Sequence, residues 1–262
     1  MEHSIATPTN RTTPASGARR PVATAAMAAI VGYVVMTAIL IGLGYLLVHV
    51  LDQGSIGTWD DSVNRWFVTQ RTSTLNSVTA VGSMLGATLP IVGIGLFAAV
   101  VLAIGHRWAA VALLTVGLVI EVTTFLTTAV VIDRPRPSVP KLDVAPPTSS
   151  FPSGHTAAAI VLYMSLAIIL SGLTRSMLLR AMLWLLAVGL PVFVALSRLY
   201  RGMHHPTDVI GSCVLAAGAL AFGVMAARRI ADARGRDRDA RQHAQGPDMH
   251  EPPVPDAVTV SR

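Results

Sequence analysis

Three short polar segments, each bordering an apolar run, contain the residue types that could carry out chemistry. They are Asp133-Arg134-Pro135-Arg136-Pro137, Phe151-Pro152-Ser153-Gly154-His155, and Ser197-Arg198 followed by His204 and Asp208. Arginine, histidine and the N–H groups at a helix start all favour anions, phosphate in particular. These segments therefore predict nucleophilic or acid–base chemistry on an anionic group.

The middle segment has the features of a helix start. Pro152 and Gly154 flank Ser153 directly before an apolar run, so Ser153 is predicted near the helix cap. N–H groups at such a start suit a phosphate oxygen, and His155 falls in the first turn beside them. A capped helix with an interfacial histidine is the alternative interpretation.

The last segment places a histidine and a carboxylate one helical turn apart. His204 and Asp208 are four residues apart, so they can meet if a helix begins near Pro206. A carboxylate that accepts from one imidazole nitrogen leaves the other free to attack, and it stabilises the cation that forms. The neighbouring His205 is predicted to be a bystander. An ordinary interfacial ion pair is the alternative.

Two arginines could hold the anion. The guanidinium groups of Arg136 and Arg198 match phosphate oxygens with two parallel hydrogen bonds. Pro135 and Pro137 restrict the backbone on either side of Arg136 and so fix its direction.

Long apolar runs predict the elements that must position these groups. The chain has 262 residues, of which 52% are hydrophobic and only 13% charged, and several runs reach the roughly 20 residues that cross a bilayer. The predicted spans are Ala23–Leu51, Gly86–Ile104, Trp108–Ile132, His155–Leu173, Ala181–Leu196 and Thr207–Ala227. Between the first two, the segment Ile56–Leu85 is predicted to form a short interfacial helix. The fold class is therefore all-α, a polytopic membrane protein with six transmembrane helices.

Basic residues predict the orientation. Arginines precede the first span, lie between the second and third and between the fourth and fifth, and follow the sixth, which predicts cytoplasmic termini and an outer-face site in the plasma membrane. We expect a disordered cytoplasmic tail at 1–22, a six-helix membrane domain at 23–228, and a basic, largely disordered cytoplasmic tail at 229–262. Anionic lipid is the predicted partner of that basic tail, and nucleic acid is not. No oligomeric state is predicted.

Together the three segments resemble the signature of the type-2 phosphatidic acid phosphatase superfamily. That signature reads Lys, six residues, Arg-Pro; then Pro-Ser-Gly-His; then Ser-Arg, five residues, His, three residues, Asp. Its second and third parts are complete here. The resemblance implies that His204 attacks phosphorus, that Asp208 orients the His204 ring, and that His155 protonates the leaving oxygen. It further implies phosphate binding by Arg136, Ser153, Gly154 and Arg198, and no metal or other cofactor.

Two residues depart from expectation. Ala129 stands where the family pattern has lysine, so Lys141 or Arg134 is a candidate to supply the missing cation. Glu121 lies near the middle of the third predicted span, where an ionisable group is costly unless it faces the bundle or water. We predict a hydrogen bond from Glu121 to a neighbouring helix, with a role in substrate or proton handling as the alternative.

The predicted function is a membrane phosphatase that hydrolyses a lipid phosphate or diphosphate through a phosphohistidine. A polyprenyl diphosphate such as undecaprenyl diphosphate is the first candidate substrate, and phosphatidic acid and phosphatidylglycerol phosphate are others. Phosphotransfer to a lipid or sugar hydroxyl and a degenerate, non-catalytic member are the alternatives. An anion transporter is disfavoured because the polar groups gather at one face, and six spans disfavour a soluble haloperoxidase.

Overall fold

The computed structural model describes residues 16–244, and helices make up most of this part of the chain. The helices in chain order are α1 (Ser16–Leu46), continued by a π-helical turn at Leu47–Leu51, α2 (Ser55–Thr69), α3 (Ser73–Leu85), α4 (Thr88–Ile104), α5 (Trp108–Val131), α6 (Gly154–Ser171), α7 (Met177–Tyr200) and α8 (Pro206–Ala244). The described residues contain no strand. The all-α prediction is confirmed.

Five helical segments are long and apolar enough to cross a membrane. They are Ala23–Leu51, Trp108–Val131, Gly154–Ser171, Met177–Tyr200 and Pro206–Arg236. Helix α4 has 17 residues, but α3 and α4 together pass the same test as a pair bent by 43°. Counted as one span, this pair brings the total to the predicted six. Large apolar side chains such as Leu89 and Phe97 point outward, as they would toward lipid.

The segment predicted as one interfacial helix is divided into two helices. The chain breaks between Thr69 and Ser73, where the Thr72 side chain accepts a hydrogen bond from the Leu75 N–H and caps α3. The Arg71 guanidinium donates to the Tyr200 carbonyl at 3.0 Å, which ties this break to the end of α7. Helix α3 therefore packs along α7 and joins the bundle, because its own cap and this arginine redirect the chain.

Helical structure extends into both predicted tails. Helix α1 begins at Ser16, and α8 continues to Ala244, so the first part of the basic tail predicted at 229–262 is helical. Alanine and arginine, which are abundant there, are strong helix formers. The predictions of disorder for residues 1–15 and 245–262 lie outside the described residues.

Helix α5 lies at the centre of the bundle, in contact with α1, α4, α6 and α8. Leu40, Ile120, Leu215 and Ala219 are fully buried between α1, α5 and α8. Because consecutive spans run in opposite directions, the end of α5, the start of α6, the end of α7 and the start of α8 lie at the same end of the bundle. All three polar segments identified above lie at this end.

Candidate active site

The first two polar segments are held side by side by backbone hydrogen bonds. In the loop between α5 and α6, the Ser150 N–H donates to the Arg134 carbonyl at 2.9 Å, and the Ser150 hydroxyl donates to the Pro135 carbonyl at 3.0 Å. The Arg134 N–H in turn donates to the Ser149 hydroxyl at 3.3 Å. These bonds hold Arg136 close to the start of α6.

A tight turn connects α7 to α8 and presents His204. Gly202 has φ +72°, a left-handed conformation that glycine adopts without steric cost. A Cβ at this position would lie 2.9 Å from a Val139 methyl and 3.0 Å from the Pro140 carbonyl, so the loop after α5 packs directly on the turn. The Met203 N–H then donates to the Arg198 carbonyl at 3.0 Å. Both contacts require the compact turn that places His204 in the site.

His204 is held in one tautomer by a main-chain carbonyl. Its Nδ1 lies 2.7 Å from the Ser150 carbonyl oxygen, which can only accept, so Nδ1 carries the hydrogen and Nε2 has the free lone pair when the ring is neutral. The Asp208 carboxylate lies 3.6 Å from the same Nδ1, beyond hydrogen-bonding distance. The orienting bond predicted from Asp208 is thus made by Ser150, while Asp208 supplies nearby negative charge.

Burial keeps this imidazole neutral. Desolvation lowers the pKa of His204, and the nearby carboxylate of Asp208 opposes that shift only in part. A neutral ring with Nε2 unprotonated has the form that a nucleophile requires.

A cavity of about 700 Å³ brings most of the predicted site residues together. Its lining includes Arg136, Gly154, His155, Arg198 and His204. Helix α6 begins at Gly154, so the first N–H groups of this helix have no intrahelical acceptor. A Cβ on Gly154 would lie 2.9 Å from the Phe125 ring, which explains why glycine stands at this helix start.

Both arginines of the cavity have a buried donor with no acceptor among the described residues. These donors are Nε of Arg136 and Nε of Arg198. Arg136 otherwise donates from Nη1 to the Met203 carbonyl at 2.8 Å. A buried N–H without a partner costs about 1–3 kcal/mol, so two of them around one cavity favour an anion as their intended partner.

Two predicted site residues lie behind the cavity. Ser153 is fully buried, and its hydroxyl shares a hydrogen bond of 3.0 Å with the Thr156 hydroxyl. Asp208 is also fully buried, and it accepts from the His205 N–H at 2.7 Å. Neither side chain lines the cavity, so both serve to shape the loop and the helix start.

Arg134 pairs with carboxylates and does not line the cavity, so it does not supply the cation predicted for the phosphate. Its guanidinium, 2% exposed, forms ion pairs with Asp52 at 2.6 Å, with Asp60 at 2.8 Å, and with Asp208. Burial alone would lower the pKa of Arg134, but the charge of Asp208 and the hydrogen bonds that Arg134 donates to Asp52 and Asp60 raise it. Arg134 therefore supports Asp208 from behind, a role that the sequence did not indicate.

The family lysine has no replacement in the described part of the cavity lining. Lys141 is exposed and does not line the cavity, whereas Ala129 does. The cation predicted from Lys141 or Arg134 is accordingly absent from this lining, because the loop directs Lys141 outward and carboxylates hold Arg134.

Three functional contacts were not predicted from the sequence. Arg198 donates from Nη1 to the Ser83 hydroxyl at 2.6 Å and to Asp143 at 3.0 Å. Arg201 binds the same Asp143 carboxylate, with its closest contact at 2.6 Å. The position of Arg201 one turn after Arg198 was an available signal, but nothing near Asp143 in the sequence marks it. A carboxylate thus lies on the arginine expected to bind phosphate.

The fold and site define an α-helical membrane protein with buried histidines and arginines gathered at one end of its bundle. Residues 105–231, which contain all three polar segments, match the family model described as PAP2 superfamily. The resemblance seen in the sequence is confirmed.

A solved structure supports the same fold. It is the crystal structure of a transmembrane PAP2-type phosphatidylglycerolphosphate phosphatase from Bacillus subtilis, with a TM-score of 0.53 and 24% sequence identity. The similarity covers 84% of this chain and 96% of that chain. No curated protein matches the chain. At this identity the likeness establishes the fold, and the chemistry depends on the site itself.

Proposed function

We propose that the protein hydrolyses a lipid phosphate ester or diphosphate through a phosphohistidine on His204. The observation that carries the proposal is the arrangement around His204. Ser150 leaves Nε2 of this ring with its lone pair, and the same cavity contains two arginines with unpaired buried N–H groups. A nucleophile and cationic donors around one cavity suit phosphoryl transfer.

In the first step of the proposed reaction, Nε2 of His204 forms a bond to phosphorus as the phosphorus–oxygen bond to the lipid breaks. His155, in its protonated form, gives its proton to the leaving oxygen. The three remaining phosphoryl oxygens lie against Arg136, Arg198 and the N–H groups that begin α6. In the second step, water gives a proton to His155 and attacks phosphorus, the phosphorus–nitrogen bond breaks, and inorganic phosphate leaves.

Asp208 supports this chemistry through charge. His204 becomes cationic as it takes up the phosphoryl group, and a carboxylate 3.6 Å from Nδ1 stabilises that cation. Arg134 holds the carboxylate in place through an ion pair. The predicted role of Asp208 is therefore retained in modified form.

A lipid is the proposed substrate because part of the cavity wall is apolar and exposed. Beside the polar groups the cavity is lined by apolar residues of α3, α4 and α5, several of which are also largely exposed, such as Val130 at 85% and Met84 at 62%. An acyl or polyprenyl chain can therefore remain in the bilayer while its phosphate reaches His204. Polyprenyl diphosphate, phosphatidic acid and phosphatidylglycerol phosphate all meet this description. Placement of the site on the outer face of the plasma membrane is part of the proposal.

The test is phosphate release by detergent-purified protein in the presence of a metal chelator, with each of the three lipids. We expect release that disappears in His204→Ala, together with an acid-labile, base-stable phosphoenzyme in the wild type. His49→Ala, which removes an exposed histidine outside the cavity, is the matched control and should keep full activity. A phosphorylated acceptor in place of free phosphate would indicate a transferase. If folded protein gives no phosphate release and no phosphoenzyme, the proposal is refuted and a non-catalytic member is favoured.

A further inference from the structure

Glu121 lies in the same cavity as the two histidines but takes no part in the steps described above. It is 3% exposed and lies in the middle of α5. A hydrogen bond to a neighbouring helix was predicted for it. Among the described residues, however, none forms a hydrogen bond or an ion pair with its carboxyl group, so the structure offers no partner for the predicted bond.

The surroundings of Glu121 make this isolation costly. Leu118, Val122 and Phe125 line the cavity beside it, and none of them offers a polar atom. A polar group placed among hydrocarbon is retained only if something satisfies it. Since no described residue does so, the partner of this carboxyl is expected to be a ligand that enters the cavity.

The position of Glu121 along α5 indicates which part of a ligand it would meet. Phe125 packs against Gly154 at the phosphate end of the cavity, and Glu121 lies four residues earlier on the same helix. This spacing is about 6 Å along the helix axis, toward the bilayer interior. The group that Glu121 contacts must therefore follow the phosphate closely, before the hydrocarbon chain begins.

A glycerophospholipid has a polar group at this place, and a polyprenyl chain does not. In a diacylglycerol phosphate the ester carbonyls follow the phosphate within the length of the glycerol unit, whereas a polyprenyl phosphate continues as hydrocarbon. A neutral carboxyl group has one O–H group, which can donate a hydrogen bond to an ester carbonyl.

We propose that Glu121 is a lipid-recognition residue that binds an ester carbonyl of a glycerophospholipid whose phosphate lies at His204. This inference rests on the proposed function and narrows it, because it selects diacylglycerol phosphates over polyprenyl phosphates. It makes Glu121 a specificity-determining residue with no part in phosphoryl transfer itself.

The test compares two lipids that differ only in the carbonyl groups. Diacylglycerol phosphate and its dialkyl ether analogue, in nonionic detergent micelles, should differ by about tenfold in kcat/KM with the wild type, the ordinary worth of one neutral hydrogen bond. Glu121→Leu should abolish this preference by slowing the diacyl substrate alone. Glu121→Gln, whose amide still donates, should keep much of it. Thr115→Val, which removes a hydroxyl from α5 outside the cavity, should keep all of it.

Three outcomes would overturn the inference: equal rates for the two lipids with the wild type, an equal loss on both lipids in Glu121→Leu, or phosphate release from a polyprenyl diphosphate alone. Failure of the proposed function is distinguishable, because the wild type would then release phosphate from none of these three lipids. In that case thermal shifts measured with each lipid decide the question. A larger shift for the diacyl form, lost in Glu121→Leu, supports the site, and equal shifts refute it.

Discussion

Replacing Asp143 with asparagine should strengthen anion binding at the proposed phosphate site. The Asp143 carboxylate lies 3.0 Å from Arg198 and 2.6 Å from Arg201, and it lines the cavity beside His155 and His204. It therefore occupies the position on Arg198 that a phosphate oxygen would take. Substrate phosphate must displace this carboxylate or share the guanidinium with it.

The size of the effect follows from the exposure of the pair. The Asp143 side chain is 27% exposed, whereas that of Arg198 is 6% exposed. An exposed pair contributes up to about 1 kcal/mol, and a hydrogen bond to a charged group about 1.5–3 kcal/mol. A partly exposed pair should fall between these limits, near 1.4 kcal/mol, which is one factor of ten in affinity. We therefore expect Asp143→Asn to lower the inhibition constant for inorganic phosphate roughly tenfold.

The assay is inhibition of lipid phosphate hydrolysis by phosphate and by vanadate at neutral pH. Burial alone would raise the pKa of Asp143, but its bonds to Arg201 and the charges of Arg201 and Arg198 lower it below the ordinary value of 3.8. The carboxylate is thus charged at every pH near neutrality, and the difference between the proteins should not change with pH there. The contribution of the ionised Asp143 side chain to folding stability is fully present at pH values above the ordinary pKa. It is lost as the pH falls through the lowered pKa of the folded protein.

Asp61→Asn is the matched control, because it makes the same change of charge on an exposed carboxylate outside the main cavity. It should leave the inhibition constant unchanged. Weaker phosphate binding in Asp143→Asn would refute the reasoning and would mean that Asp143 holds the arginines in place for substrate. The variant should also melt at a lower temperature, because Arg201 loses its ion pair in the folded state.

Three other changes test the site. Arg134→Lys keeps the charge but loses the guanidinium that contacts Asp52, Asp60 and Asp208 at once, so kcat should fall at least tenfold with little change in KM. A raised KM at unchanged kcat would instead assign Arg134 to the phosphate. Ala129→Lys should restore a cation to the cavity and lower the KM a few-fold, and no effect in a folded variant would show that the side chain cannot reach the phosphate. Because the pKa of His204 is lowered, the acid limb of the pH profile of kcat/KM should lie below the ordinary histidine pKa of 6.5, and activity should disappear as the pH falls through that lowered pKa. An acid limb at or above pH 6.5 would contradict the assignment of His204 as the nucleophile.

Much of the fold could be predicted because membrane helices have a local signature. The length of an apolar run is read directly from consecutive residues, and α5 was predicted at Trp108–Ile132 and found at Trp108–Val131. The division of Ile56–Leu85 into two helices could not be predicted in the same way. It depends on a bond between Arg71 and the end of α7, 129 residues away in the chain.

For the site, the sequence alone determined which residue types lie where they could carry out the proposed chemistry. The Pro-Ser-Gly-His helix start and the pairing of His204 with Asp208 are short-range patterns, and the arginines are marked by their positions at span ends. Those features are local, so they can be recognised without knowing how the chain folds.

Only the tertiary structure decided what each of these residues contacts. The carbonyl that fixes the tautomer of His204 belongs to Ser150, 54 residues away, and Arg134 meets Asp208 across 74 residues. The same holds for Asp143 on Arg198 and for Glu121 among apolar side chains. The physical reason is that a charged or polar group acquires its role from the partners and the burial that folding gives it, and neither is encoded in its immediate neighbours.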